Sequence, residues 1–461
     1  WAGRAGRGGR GCWADRGGRT GRAGRAGRAG RAGRAGVALL LVLVIMIPGC
    51  LSTGDGAGGD GAGGAGEDGP GGSVTLVVWS TFEADSLEDE VFLSAISTFD
   101  AEHPSITIDV SNRPYMQAAD SYRVAAQGGE APDLMRFASD QLGQVGAMRV
   151  NGYPLLEDLR PHLTPMQRNI YDAQALSSMR VGDDLLALPA SLDCVSLIYN
   201  ADIFAAEGVE PPGLNWTWQE MLEAAETLTH GNQVGLSVPI KDPYRWLAIQ
   251  RGFGGELFSA NGVPTLDSNG SAAGLEAWLA LDQSNGGMVP TGTSIDTMKN
   301  QFREREAAMI IDGPWNWATY SQARINVAQA PLPMVISSGE RISPMVTYKG
   351  WSVSKQSLHK EEAVELALWL SSPEVQKQFA LQTWTLPTAV AVQNDFEVVQ
   401  DPVLSGFLNQ AEYGFPAPTT RGMSMVWDPL SAAIEQVYAG QMSADEALSA
   451  ANQQLLEEID G

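Results

Sequence analysis

Apolar positions along the chain switch between two periods. Val74–Trp79 (VTLVVW) is an apolar run of strand length. Ser86 then opens an S-x-x-D box with Asp89, and apolar residues follow at Val91, Phe92, Ala95, Ile96 and Phe99, a helical spacing. Pro104 stops that helix, and Ile106–Val110 is a second strand-length run. Strand, helix and strand in this order predict a parallel pair joined by a right-handed crossover, the start of an α/β fold.

The chain is organised around Leu185–Phe204. Two apolar runs, Leu185–Leu188 and Val195–Tyr199, flank Pro189–Cys194, which holds one acid, Asp193. Proline cannot donate to a sheet ladder, so the pattern predicts a strand, a crossing at Pro189–Cys194 and a second strand. The crossing would join two separate cores, with Asp193 facing the gap between them. The plainer alternative is an ordinary strand with an acid at its edge. Further on, Thr217-Trp218-Gln219-Glu220 is a capping box that predicts a helix to about Thr229. An amphipathic helix begins near Lys360, Ser372-Pro373 caps another, and Ser443 with Glu446 caps the last.

The first 73 residues follow neither period. Residues 1–36 are a Gly-Arg-Ala repeat that cannot build a core, and since the chain does not begin with Met, an incomplete or mis-started translation is expected there. The alternative is an oversized basic leader. Val37–Ile47 is an unbroken apolar run, too short to span a bilayer and of the length of a signal core. It ends Ile47-Pro48-Gly49-Cys50, which resembles a bacterial lipoprotein cleavage box. Residues 37–49 are therefore read as signal, Cys50 as the lipidation site, and residues 50–73 as a Gly-rich tether to a membrane. Cleavage without lipid is the alternative.

Charge sharpens this division. The formal charge of the 461 residues is −24. Residues 1–36 carry +9 and residues 37–49 carry none, which leaves −33 on the remainder. That balance excludes nucleic acid as a partner of the body and permits a neutral or cationic ligand. Cys12, Cys50 and Cys194 form no CxxC, and the four histidines are scattered, so no metal site and no cofactor is implied. The sequence holds neither a P-loop nor a GxSxG elbow. Cys194 is expected as a buried, reduced packing residue.

Several segments resemble the bacterial sugar-binding proteins that serve ABC importers, the maltose and maltodextrin binders above all. These are LPASLDCVSLIYNADIF followed by WTWQEM, the Pro132–Asp140 strand and loop, Lys241-Asp242-Pro243-Tyr244, FREREAAMIIDGPWNW from Phe302, and Met423–Trp427. The resemblance implies a two-lobed α/β binding fold of the type II periplasmic kind, with discontinuous lobes and a hinge. Lobe one is expected at 74–191 and 330–383, and lobe two at 192–329 and 384–461, with crossings near Pro189, Ala330 and Trp384. It implies ligand-binding acids at Glu83, Asp140, Asp193 and Asp242, and aromatic faces at Phe137, Tyr244, Trp315 and Trp427. Trp79 and Trp369 read as packing residues.

That combination suits a carbohydrate. Carboxylates accept from sugar hydroxyls, and aromatic faces cover the C–H faces of the ring. The chain departs from the maltodextrin pattern where that pattern has cations: Ala84, Gln141 and Ser431 stand there, and no Tyr lies near Thr293. A monomeric, non-enzymatic sugar-binding lipoprotein outside the cytoplasm, partnered by importer permease subunits, is expected. The alternatives are a glycoside hydrolase built on two of the acids and the same fold holding a polyamine in an aromatic cage.

Overall fold

The computed structural model describes residues 73–460. The expectations for residues 1–36, 37–49 and Cys50, and all but the last residue of the 50–73 tether, lie outside the described residues. The longer strands, in chain order, are β1 (Val74–Ser80), β2 (Ile106–Asn112), β3 (Leu134–Ala138), β4 (Leu188–Asp193), β5 (Ser196–Asn200), β6 (Val234–Ser237), β7 (Ala307–Asp312), β8 (Val327–Ala330) and β9 (Met345–Val353). They form two sheets. The first runs β2-β1-β3-β9-β4, and the second β6-β7-β5-β8. β1 is parallel to β2 and β3, whereas β9 is antiparallel to both β3 and β4. In the second sheet β6 and β7 are parallel, and β5 is antiparallel to β7 and β8.

This pairing brings several chain ends to one edge of each sheet. β1, β3 and β4 point the same way, so their carboxyl ends lie together, next to the start of β9. In the second sheet the carboxyl ends of β6, β7 and β8 share an edge with the start of β5: Ser196 faces Asp312, and Leu197 faces Ala330. Cys194–Val195 and residues 331–344 are the links between these two edges. Open α/β sheets bind ligands off the carboxyl ends of their strands.

Pro189 does not break its strand, contrary to the sequence reading. β4 runs from Leu188 to Asp193, so the crossing shrinks to two residues. The reason is position. β4 takes its ladder from β9 alone, with a single bridge from Leu192 to Leu386 on its other side. Near such an edge the missing N–H costs little. The register also shifts opposite Pro189, between Lys349 and Gly350. The Pro189 carbonyl is used, accepting from Thr388 Oγ1 at 3.0 Å and Gln376 Nε2 at 3.3 Å.

Packing follows strand periodicity. On the second sheet Ile198 and Ile310 turn toward the core that includes sheet one, while Leu197, Met309 and Ile311 turn toward the other. An aromatic group of Phe82, Phe92, Phe379 and Trp351, with ring centroids 5.3–5.4 Å apart, covers one face of sheet one. Each such side chain contributes roughly 1.5–3 kcal/mol of burial. The capping motifs form as read. Ser86 Oγ accepts from Asp89 N–H at 3.1 Å, and Thr217 and Glu220 cap each other reciprocally. Ser372 caps the helix that Pro373 begins, and Ser443 pairs with Glu446. The helix after Thr217 ends at Thr227, two residues early. Trp369 Nε1 donates to the Ala95 carbonyl at 2.9 Å and packs between helices. Cys194 is fully buried and free, and burial pushes its thiol well above the ordinary range.

Candidate functional site

Sheet one delivers a polar cluster at its carboxyl edge. Asp193 ends β4, and Asp140 sits in the first turn of the helix Ser139–Ala147 that follows β3. Both are buried. Asp193 is paired with the ammonium of Lys349, which comes from the middle of β9, opposite Ala138 and Ser191. Lys349 Nζ also lies 5.4 Å from the ring centre of Tyr115, whose hydroxyl donates to Asp140 Oδ1 at 3.3 Å. Burial, reinforced by the Asp193 charge, pushes the Asp140 carboxyl up to about 6, against the pull of Lys349 and the Tyr115 hydroxyl. The Tyr115 hydroxyl is itself held well above its ordinary range, first by burial and then by the charges of Asp140 and Asp193. Behind these groups lies Arg136, buried on β3. Its guanidinium donates to Thr81 Oγ1 at 2.8 Å and Ser191 Oγ at 3.4 Å and lies 4.1 Å from the ring centre of Phe82.

Sheet two delivers an aromatic wall. β6 leads into Asp242-Pro243-Tyr244 at a helix start, and β7 leads into Gly313-Pro314-Trp315. Trp427 opens the helix Trp427–Tyr438. The three rings meet around Tyr244, whose centroid is 6.4 Å from Trp315 and 6.5 Å from Trp427. All three remain half-buried, unlike Trp246 and Trp278, which vanish into the core. The Gly-Pro-Trp motif has a local cause: the Trp315 ring lies over Gly313, where a Cβ would meet its atoms at 2.1–2.4 Å.

A buried network fixes this wall. Arg245 is paired with Asp242 and, at 2.7 Å, with Asp312, and its Nε donates to the Ile311 carbonyl at 2.7 Å. Asp312 also accepts from Asn316 Nδ2 at 2.9 Å and from the Tyr320 hydroxyl. The start of the Tyr244 helix is thereby tied to the end of the strand that carries Trp315.

The two halves approach each other. The Tyr244 hydroxyl donates to the Met345 carbonyl at the start of β9, at 3.4 Å, and it is held well above its ordinary range, first by burial and then by the charge of Asp193. Gly143, in the helix of Asp140, lies against the Thr419–Thr420 backbone just before the Trp427 segment. A Cβ there would sit 2.3 Å from the Thr420 carbonyl oxygen.

Among the residues read from the sequence, Asp140, Asp193 and Tyr244 therefore meet, with Trp315 and Trp427 beside Tyr244. Phe137 does not join them. It is 1% exposed and packs edge-on against Tyr122, because strand alternation turns it into the core of sheet one. Asp242 is drawn into structure as a helix N-cap. One oxygen accepts from Tyr244 N–H at 3.0 Å and the other is taken by Arg245. Glu83 follows β1 at the right edge but is exposed, and its carboxylate engages no partner among the described residues. A cavity of about 470 Å³ borders Asp242, with Thr293, Ser294 and Tyr438 in its wall, and the aromatic trio does not line it. Sequence reasoning missed Tyr115, Arg136, Lys349 and Arg245. The lone charges inside two otherwise uncharged strands, Arg136 in LMRFA and Lys349 in MVTYKGWSV, offered the signal.

Known proteins are similar to this chain in sequence and fold. Residues 94–405, more than half of the chain, match the family described as bacterial extracellular solute-binding protein. A galactooligosaccharide-binding protein of Bacillus subtilis is 25% identical over 386 residues, covering 82% of this chain and 87% of its own. A maltotriose-binding protein of Pyrococcus abyssi is 28% identical over 384 residues, covering 81% and 80%. Among solved structures, the maltose/maltodextrin-binding domain MalE of Bdellovibrio bacteriovorus bound to maltotriose superposes with a TM-score of 0.75 at 25% identity, covering 84% of this chain and all of that one. The chain has the two-lobed α/β fold and is a substrate-binding protein rather than an enzyme, which sets aside the glycoside hydrolase alternative. The chain is a member of the bacterial extracellular solute-binding protein family.

Proposed function

We propose that this protein captures a neutral oligosaccharide of the maltodextrin type between its two sheets and hands it to an ABC importer. The observation that carries this reading is the half-buried Tyr244–Trp315–Trp427 cluster facing Asp140, Asp193 and Tyr115. Three rings offer apolar faces to pyranose C–H bonds, and the carboxylates accept hydroxyl protons. The maltotriose- and galactooligosaccharide-binding relatives support the same ligand class. The two lobes close over the sugar by rotation about Cys194–Val195, residues 331–344 and the segment after Trp384, and the closed form is the one the importer recognises. Cys50 anchors the body through the Gly-rich tether, and Cys50→Ser should move the protein from the membrane to the soluble fraction.

The test is calorimetric titration of Trp315→Ala and Trp427→Ala with maltotriose, beside the melting temperature of each empty variant. A stacked pyranose face of about 60–80 Å² at ~25 cal/mol/Å² is worth roughly 1.5–2 kcal/mol, so affinity should fall about tenfold to thirtyfold. Lowered melting with unchanged affinity would remove that indole from the site.

A further inference from the structure

The cleft edge of sheet one lies in a strongly acidic body, yet it is not built as a cation trap. Asp140, Asp193 and Asp89 are its buried carboxylates, Asp89 accepting from Asn112 Nδ2 at 2.9 Å at the end of β2, and Glu88 stands half-buried nearby, accepting from Thr385 Oγ1 at 3.1 Å. Two cations answer them. Arg136 is buried and faced by Glu88 and Asp193. Lys349 pairs with Asp193, and its side chain keeps 18% of its surface exposed. Arg136 is walled in by Phe82, Thr81 and Ser191, so Lys349 is the cation whose charge a bound molecule meets. Its ammonium spans the cluster, from the Asp193 carboxylate to the ring of Tyr115, which bonds Asp140.

From this placement we propose that Lys349 is the specificity-determining residue of the cleft, admitting neutral sugars and rejecting cationic ones. This inference rests on the sugar-binding reading above. Acids outnumber cations along this edge, and removing Lys349 widens that excess by one charge. Specificity is a difference of affinities, and a like charge placed in the site supplies the repulsive half of it. The ammonium also has donors left for a sugar hydroxyl after pairing with Asp193.

The experiment compares the wild-type chain with Lys349→Met and Lys349→Arg by calorimetry. The probes are maltotriose and a glucosamine trimer with free amines, at a pH where those amines are charged. The wild type should bind maltotriose and show no saturable binding of the trimer. Lys349→Met should lose about tenfold or more for maltotriose and gain trimer binding, because one unit charge several ångströms away in a half-buried site changes affinity by about tenfold to fiftyfold. Lys349→Arg should keep the wild-type preference, which a purely structural role for the lysine stem would not predict. If the methionine variant does not fold, Lys349→Gln makes the same comparison. An unchanged preference in the uncharged variants overturns the inference. A wild type that binds neither probe, alongside a Lys349→Met variant that binds the trimer, overturns the maltodextrin reading while upholding the charge role of Lys349.

Discussion

Replacing Gly313 with Ala tests whether the aromatic wall is a binding surface. The new Cβ would meet Trp315 at 2.1 Å from Cζ3, 2.2 Å from Cη2 and 2.4 Å from Cε3, each more than an ångström inside van der Waals contact. The backbone has no reason to resist, since Gly313 has φ −111°, a region open to Ala. The indole must therefore swing off its seat. Its stacked contact with a pyranose would be lost or skewed, at a cost of up to roughly 1.5–2 kcal/mol, or tenfold to thirtyfold in affinity. The fold should hardly notice. Trp315 is half-buried, and Gly→Ala gains about 0.4–1 kcal/mol by restricting the unfolded chain. Calorimetric titration with maltotriose and a melting curve of the empty protein read the two effects separately. Wild-type affinity in Gly313→Ala would refute the role given to the indole. A steep fall in melting temperature would show that the ring is packing instead.

Other consequences follow from neighbouring residues. The Asp140 carboxyl titrates at about 6, so sugar affinity should be flat above pH 7 and weaken as pH falls through 6, and calorimetry between pH 5 and 8 that finds no change would contradict this. The same shift has a stability sign. An acid raised above its ordinary value of about 4 costs the fold once ionised, so the empty protein loses stability as pH rises from about 4 through 6. Asp140→Asn should accordingly keep or raise the melting temperature at pH 7.5 while weakening binding, and a lower melting temperature would argue against it. Gly143→Ala places a Cβ 2.3 Å from the Thr420 carbonyl oxygen, which should prop the two lobes apart and weaken sugar binding with the empty melting curve unchanged. Undiminished affinity would mean that this contact is not part of closure. Cys194 should react with a thiol reagent in the native protein far more slowly than in denaturant, and equal rates would refute its burial.

The legible parts of this molecule were those set by local chemistry. The Ser86, Thr217, Ser372 and Ser443 caps need only a hydroxyl at the right offset, and they formed. Tyr244, Trp315 and Trp427 are marked in the sequence by family resemblance, and two of them follow motifs with a local mechanical cause, a helix N-cap at Asp242 and a Cβ-free seat at Gly313. Where tertiary context decides, sequence reasoning failed. Pro189 lies inside a strand because β4 is near an edge, and edge position is not written in the strand itself. Phe137 was placed in the cleft by motif, yet pleat alternation turns it inward. Asp242 looked like a ligand acid because its partner Arg245, three residues on, gave no sign of turning back. Lys349 is 156 residues from Asp193, and no local pattern links them.

The most direct test of the central claim is a calorimetric titration of the 74–461 body with malto-oligosaccharides of increasing length. The account predicts saturable one-to-one binding of at least one of them, with a negative heat-capacity change from burying sugar against the aromatic wall. Absence of binding to every member of the series, by a protein that melts cooperatively, would contradict it.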